Sequence, residues 1–189
     1  MNFPDTPRAE KFTSKERLRQ RHVCYTPSSS PFRFWANQPV PTMPDFFDYS
    51  HIVAPDEIDA QGHVHNLRYL QWTLWAAGAH TRAGGWNSKQ ALEQKLGWVV
   101  RNHDITYRAA AMEGDAVTIR TWVSEIAKFA SSRKYLICRS ADETILAKVD
   151  TRWVYVDLSK PKVIAIPEEL KTQLSICDPA PKPPWVTNQ

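Results

Sequence analysis

Asp56-Glu57-Ile58-Asp59-Ala60-Gln61-Gly62-His63-Val64-His65-Asn66-Leu67-Arg68-Tyr69 is a polar turn that runs straight into an apolar helical stretch. Leu67, Leu70, Leu74 and Ala77 fall on one helical stripe, and Tyr69, Trp72, Trp75, Ala76 and Ala79 make the opposite side apolar as well. A helix over residues 67–83 that is apolar nearly all round is expected to be buried. Asn66 is the expected N-cap, and Gly84-Gly85 the expected stop. The juxtaposition has chemical meaning. A helix start offers backbone N–H groups without partners and a partial positive charge. A carboxylate held there can serve as base or nucleophile against a carbonyl.

On either side of this segment the apolar pattern reads as strand. Residues 48–54, with Tyr49, Ile52 and Val53, form a first strand that Pro55 ends. A short helix is expected at 88–95. From residue 97 onward the apolar period is two rather than 3.6. Strands are expected over 98–108, 117–123, 132–140 and 145–155, with turns at Glu113-Gly114-Asp115, Ala141-Asp142-Glu143 and Ser159-Lys160-Pro161-Lys162. Pro167 opens a short terminal helix. One strand, a buried helix and an antiparallel run of four strands make an α+β arrangement, in which a single sheet of about five strands wraps around the long helix.

The chain has 189 residues, 42% hydrophobic and 11% aromatic, enough for one domain with a substantial core plus tails. The boundaries read as a basic Pro/Ser-rich extension over 1–44, a domain over 45–172 and a Pro-rich tail over 173–189, of which 178–189 is expected to be extended or loose. Residues 1–34 hold seven Lys/Arg against three Asp/Glu, and the remaining 17 basic and 17 acidic residues cancel. The net charge of +4 therefore belongs to the extension. No basic–aromatic interleaving marks it as a nucleic-acid arm, so no nucleic-acid partner is expected. The three cysteines are scattered without a CxxC pair, which points to neither a disulfide framework nor a zinc site, and a reducing cytoplasm fits best. No apolar run approaches the length of a membrane span, and no secretory signal is visible.

The order of elements, and above all Asp59-Ala60-Gln61-Gly62-His63-Val64-His65-Asn66-Leu67-Arg68-Tyr69, resembles the hotdog-fold thioesterases. The nearest branch is that of the 4-hydroxybenzoyl-CoA thioesterases and related acyl-CoA and acyl-ACP thioesterases. The resemblance runs over about residues 48–170 and implies a hotdog fold, hydrolysis of an acyl thioester, no cofactor and a homodimer or tetramer. Position by position, it places Asp59 as the catalytic carboxylate. Gly62 and His63 supply the backbone that polarises the carbonyl, and His63 and Asn66 line the site as polar groups. Tyr69 falls with the substrate-binding residues. Lys128, Arg133 and Lys134, around a turn between strands, fall where basic residues can bind CoA phosphates. Another hotdog branch carries its catalytic Glu on the helix, but no Asp or Glu lies between Asn66 and Gly85.

Each assignment has a plainer alternative: Asp59 as a turn cap, Asn66 as a helix cap, the basic cluster as a solvated turn. Asp56 and Glu57 are expected to be solvated, Trp72 and Trp75 to be core, and Cys138 to be inert within its strand. The His63/His65 pair has metal-ligand spacing but no third ligand, so no metal is expected. The competing functional readings are an acyl-CoA or acyl-ACP hydrolase, a hotdog protein that binds acyl thioesters without cleaving them, and an enzyme releasing acyl groups from a carrier protein.

Overall fold

The computed structural model describes residues 43–186. The expected basic helix and the Pro/Ser linker of the N-terminal extension lie outside the described residues. The elements run β1 (Phe46–Ile52), α1 (Asn66–Ala83), α2 (Ser88–Glu93), β2 (Leu96–Tyr107), β3 (Ala116–Ile126), β4 (Ala130–Arg139), β5 (Thr144–Asp157), a two-residue β6 (Lys162–Val163) and α3 (Glu168–Gln173). The strands form one antiparallel sheet in the order β1-β3-β4-β5-β2, with β6 added against the end of β5. Period-two patterning found each long strand within three residues of its ends. Two-residue β6 carries no such pattern.

The alternation has a packing consequence. Val117 and Ile119 of β3, Tyr135 and Ile137 of β4, and Ala147 and Val149 of β5 meet Tyr69, Trp72, Ala76 and Ala77 of α1 in one buried cluster. A one-residue slip in any of these strands would turn its apolar set away from the helix. The core does not extend around the whole helix. Leu67, Leu74 and Trp75 are 62%, 42% and 37% exposed, so the expected all-round burial, including that of Trp75, does not hold within one protomer. The sheet covers one side of α1 and leaves the other open.

The helix ends are set by local chemistry. His65, not Asn66, is the N-cap: its backbone is extended and its Nδ1 accepts the Leu67 N–H at 3.2 Å. Asn66 is already the first helical residue. Gly84 closes the helix, and a Cβ there would sit 2.8 Å from Cβ of Met43.

A second correction concerns Glu57. It is 3% exposed, not solvated. Its Oε1 accepts the Trp72 Nε1–H at 2.8 Å, and its Oε2 accepts the Ala54 N–H at 2.9 Å and meets His51 Nε2 at 2.7 Å. Burial pushes the carboxyl up, but these donors together outweigh it and hold the group below the ordinary range. One carboxylate thus ties the turn that precedes α1 to the first buried tryptophan of the helix and to β1.

The C-terminal segment also departs from expectation. Ile176 bridges Val123, the Cys177 N–H donates to the Val123 carbonyl at 3.0 Å, and Trp185 and Cys177 pack on Trp122, Leu136 and Cys138 of the outer sheet face. Arg120, paired through two nitrogens with Asp48, donates from its third to the Lys182 carbonyl. The segment is neither free nor loose through Trp185. It covers apolar side chains that a one-layer sheet would otherwise expose. Cys138 lies beneath it, fully buried, and burial pushes its thiol up to about 12. A thiol in that state is no nucleophile.

Two predictions follow from this packing. Glu57→Ala orphans the Trp72 and Ala54 donors, and a buried orphan costs about 1–3 kcal/mol. Urea unfolding should show a loss of at least about 2 kcal/mol, and adding Trp72→Phe should recover part of what two independent changes would sum to. Full additivity would refute the link. The second concerns His80, which is fully buried and whose Nε2 lies 2.7 Å from the Pro44 carbonyl. Burial first, and the Arg133 charge second, push its imidazole down to about 4 from 6.5. Between those values the unfolded chain binds more protons. The stability conferred by neutral His80 is complete above pH 6.5 and is lost as pH falls toward 4. The folded chain should therefore weaken across this window, and His80→Gln should flatten the dependence by about 3 kcal/mol. Melts at stepped pH read the difference.

Candidate active site

The site begins as a loop pinned at both ends. Ile58 and Val64 pair as an isolated antiparallel bridge, so residues 59–63 form a tight excursion between them. The Asp59 N–H donates to the His63 carbonyl at 2.9 Å, and the Gly62 N–H donates to the Asp59 carbonyl at 3.0 Å. Gly62 sits at φ +83, a left-handed conformation that costs glycine little. The loop is fixed to its surroundings by the His65 N–H on the Glu57 carbonyl and the Val64 N–H on the Ala111 carbonyl, each 2.9 Å. The buried Glu57 carboxylate and the loop are thus one unit.

This arrangement presents Asp59 at the start of α1. Its Oδ1 accepts the Gln61 N–H at 2.8 Å, while Oδ2 has no hydrogen bond among the described residues. The His63 Nδ1 lies 3.8 Å from Oδ1, close enough for attraction once the imidazole is protonated and too far for a hydrogen bond. The turn bond above occupies the Gly62 N–H. By contrast, the His63 and Asn66 N–H groups have no acceptor among the described residues. Gly62 thus shapes the loop, and the N–H groups without an acceptor among the described residues belong to His63 and to Asn66, the first residue of an 18-residue helix.

Asp59, His63, Asn66 and Tyr69 line one open cavity of about 580 Å³ together with Tyr107 and Arg108 from the end of β2. Sequence patterning placed Tyr107 and Arg108 in a strand and gave no sign of a role. They reach the site because β2 ends beside the helix start, where the Tyr107 hydroxyl donates to the Asn66 carbonyl at 3.1 Å. Tyr69 is 3% exposed, with its hydroxyl accepting the Ala111 N–H at 2.9 Å and its ring edge-on to Tyr107 at 5.3 Å. It forms the floor of the cavity.

Lys128, Arg133 and Lys134 do not form the exposed cluster that their spacing suggests. Arg133 is 6% exposed and turned inward, where its Nη1 lies 2.7 Å from Nδ1 of His80. Strand alternation sends Lys134 to the outer face, paired with Asp150 at 3.7 Å. Lys128 lies over the Phe129 ring in the turn joining β3 to β4. That turn and the Asp59 cavity are at opposite ends of β3, which at 11 residues is roughly 35 Å long. One protomer does not bring these cations to Asp59.

Among the described residues no group of three His, Cys, Asp or Glu side chains is placed to hold a metal ion, and no helix is long and apolar enough to cross a membrane.

The chain's likeness to known proteins agrees with this geometry. The family model of the thioesterase-like superfamily matches residues 53–174. An acyl-CoA thioesterase of Haemophilus influenzae is 30% identical over 126 residues, which is 66% of this chain and 91% of that protein. Among solved structures, a 1,4-dihydroxy-2-naphthoyl-CoA thioesterase from Synechocystis superposes with a TM-score of 0.64 at 20% identity, covering 71% of this chain and 97% of that one. A DHNA-CoA thioesterase from Staphylococcus aureus gives a TM-score of 0.61 at 18% identity, over 64% and 80% of the two chains. At such identities the structures establish the fold, a hotdog. The family match spans the strand end before the Asp59 loop, the loop, the helix and the whole antiparallel run, and the chain belongs to the thioesterase-like superfamily.

Proposed function

We propose that this protein hydrolyses an acyl-CoA thioester to a free acid and a thiol. The observation that carries the reading is the meeting, in one cavity, of the Asp59 carboxylate with a free Oδ2 and the unpaired N–H groups of His63 and Asn66 at the start of α1. The thioester oxygen accepts from those N–H groups, which stabilise negative charge as it develops on that oxygen. Asp59 then either attacks the carbonyl carbon or takes a proton from the attacking water; both routes need it within the cavity. An acyl group on a carrier protein presents the same reacting atoms and is the second carrier to test.

The resemblance also implied a homodimer or tetramer, and two features favour association of copies. The outer edge of β2 has no strand partner among the described residues, and a 12-residue free edge is an unusual thing to leave open. The apolar face of α1 with Leu74 and Trp75 also lies open. A second protomer would further be needed to bring Lys128 or Lys134 near the phosphates of a CoA held at Asp59.

Free-thiol release from short, medium, long-chain and aromatic acyl-CoA esters, and from an acyl carrier protein, tests the reading. Asp59→Asn should lower turnover about 100- to 10,000-fold while leaving the oligomeric state unchanged. Unaltered turnover in that variant would reject Asp59 as the reacting group. Binding of acyl-CoA without turnover in wild type would make the protein a non-catalytic binder.

A further inference from the structure

A second cavity, of about 420 Å³, lies between the C-terminal half of α1, α2 and the inner face of the sheet. Its walls are largely apolar, with Leu74, Ala77, Trp86, Trp98 and Val123 among them. Its α1 wall extends to Thr81, which at 1.5 Å per residue is about 22 Å along the helix from Asn66. It is not the cavity that holds Asp59. Its volume is in the range of about 300–1,000 Å³ typical of small-molecule sites.

Arg133 also lines this cavity. A guanidinium keeps its charge at any ordinary pH. Taking it out of water is costly unless an opposite charge compensates. Yet every partner it has among the described residues is neutral: Nδ1 of His80 at 2.7 Å, the Thr121 hydroxyl at 3.4 Å and the Met43 sulfur at 4.0 Å. An imidazole is neutral or cationic, so His80 cannot supply the missing negative charge. No carboxylate of the described residues reaches Arg133.

A second observation points to the same place. The Trp153 Nε1–H and the Tyr135 hydroxyl are both buried without a hydrogen-bond partner among the described residues. Thr121, Thr151 and Trp153 are the polar side chains around the Tyr135 hydroxyl. Trp153 lines the cavity as Arg133 does, and the two are diagonal neighbours, since Arg133 pairs with Thr151 and Ser131 with Trp153. Buried polar groups without partners are rare enough to need a reason. Here an uncompensated cation borders an apolar space whose wall also holds the Trp153 ring.

We propose that this cavity binds an apolar molecule bearing one carboxylate, with the carboxylate against Arg133 and the apolar body among the tryptophans and leucines. A planar guanidinium matches a planar carboxylate through two parallel N–H donors. A phosphate dianion would call for more cationic groups than the one present. Two sources supply such a ligand: a free carboxylic acid, and an acyl thioester carrying a second carboxylate at its far end.

Trp86, Trp98 and Trp153 line the cavity, so intrinsic tryptophan fluorescence reports its occupation. Wild-type protein is titrated with octanoate and, separately, with octan-1-ol, which keeps the chain and lacks the charge. Octanoate should give a saturable change at a concentration about tenfold or more below that for the alcohol. Arg133→Met, which keeps the volume and removes the charge, should erase that preference. Circular dichroism confirms that the variant folds. Suberoyl-CoA and octanoyl-CoA are then added as competitors to Asp59→Asn protein, in which hydrolysis cannot convert them to free acids during the titration. Displacement of octanoate by suberoyl-CoA alone assigns the site to the distal carboxylate of a thioester; displacement by neither assigns it to the free acid. Equal affinity for octanoate and octan-1-ol, no saturable change with octanoate, or unchanged preference in a folded Arg133→Met overturns the proposal. None of these outcomes depends on Asp59 or on thiol release, so the hydrolase reading stands or falls separately.

Discussion

A carboxylate buried beneath a helix start is the constraint on which the rest of this molecule depends. Glu57 satisfies three donors at once, from β1, from the turn and from Trp72 of α1. Such a group is costly to bury alone and well held when fully bonded. Because the Glu57 carbonyl also receives the His65 N–H, the same residue fixes the register between the loop and the first turn of the helix. Asp59 inherits its position from that register. The residue proposed to react and the residue that places it are two apart, and on opposite sides of the chain: one lines the cavity, the other lies in the core.

The molecule uses the two ends of α1 differently. At its start the backbone N–H groups are open and the surroundings polar, with two tyrosines and an arginine rimming a wide cavity. At its far end the helix presents a buried histidine to a buried arginine, over an apolar space. The sheet makes both possible. Its inward face carries Ile119, Ile137 and Val149 in the middle, where packing is tight, and Thr121, Arg133, Thr151 and Trp153 toward the end where β3 turns into β4. Across that end, the Thr151 hydroxyl reaches Nδ1 of His103 on β2 at 2.8 Å, so the polar positions continue across neighbouring strands.

Much of this was legible in the chain. Period-two patterning located the four strands of the antiparallel run, since a strand sends alternate residues to opposite faces. The polar run before an apolar helix located Asp59, His63 and Asn66, because a helix start needs loop chemistry and the site shares it. Where the reading failed, the reason was long-range. Glu57 looked solvated because its partner Trp72 lies fifteen positions on, and nothing in a turn says that an indole will reach back to it. Arg133 and Lys134 looked like one basic patch because adjacent residues are close in sequence; strand alternation sends them to opposite faces. Tyr107 and Arg108 carried no mark at all, because only the pairing of β2 at the sheet edge brings them to the helix start.

The sequence by itself determined the elements and their order, because hydrophobic period, glycines and prolines act over a few residues and bias the local backbone directly. It also placed a carboxylate next to a helix start, which is a local fact. The tertiary structure alone decided which carboxylate is buried and which is free, which backbone N–H groups are occupied by the turn, and that a cation should end inside an apolar cavity. Those are questions of who meets whom across the fold. They are answered by burial and by the pairing of hydrogen-bond groups, and neither exists until the sheet has closed on the helix.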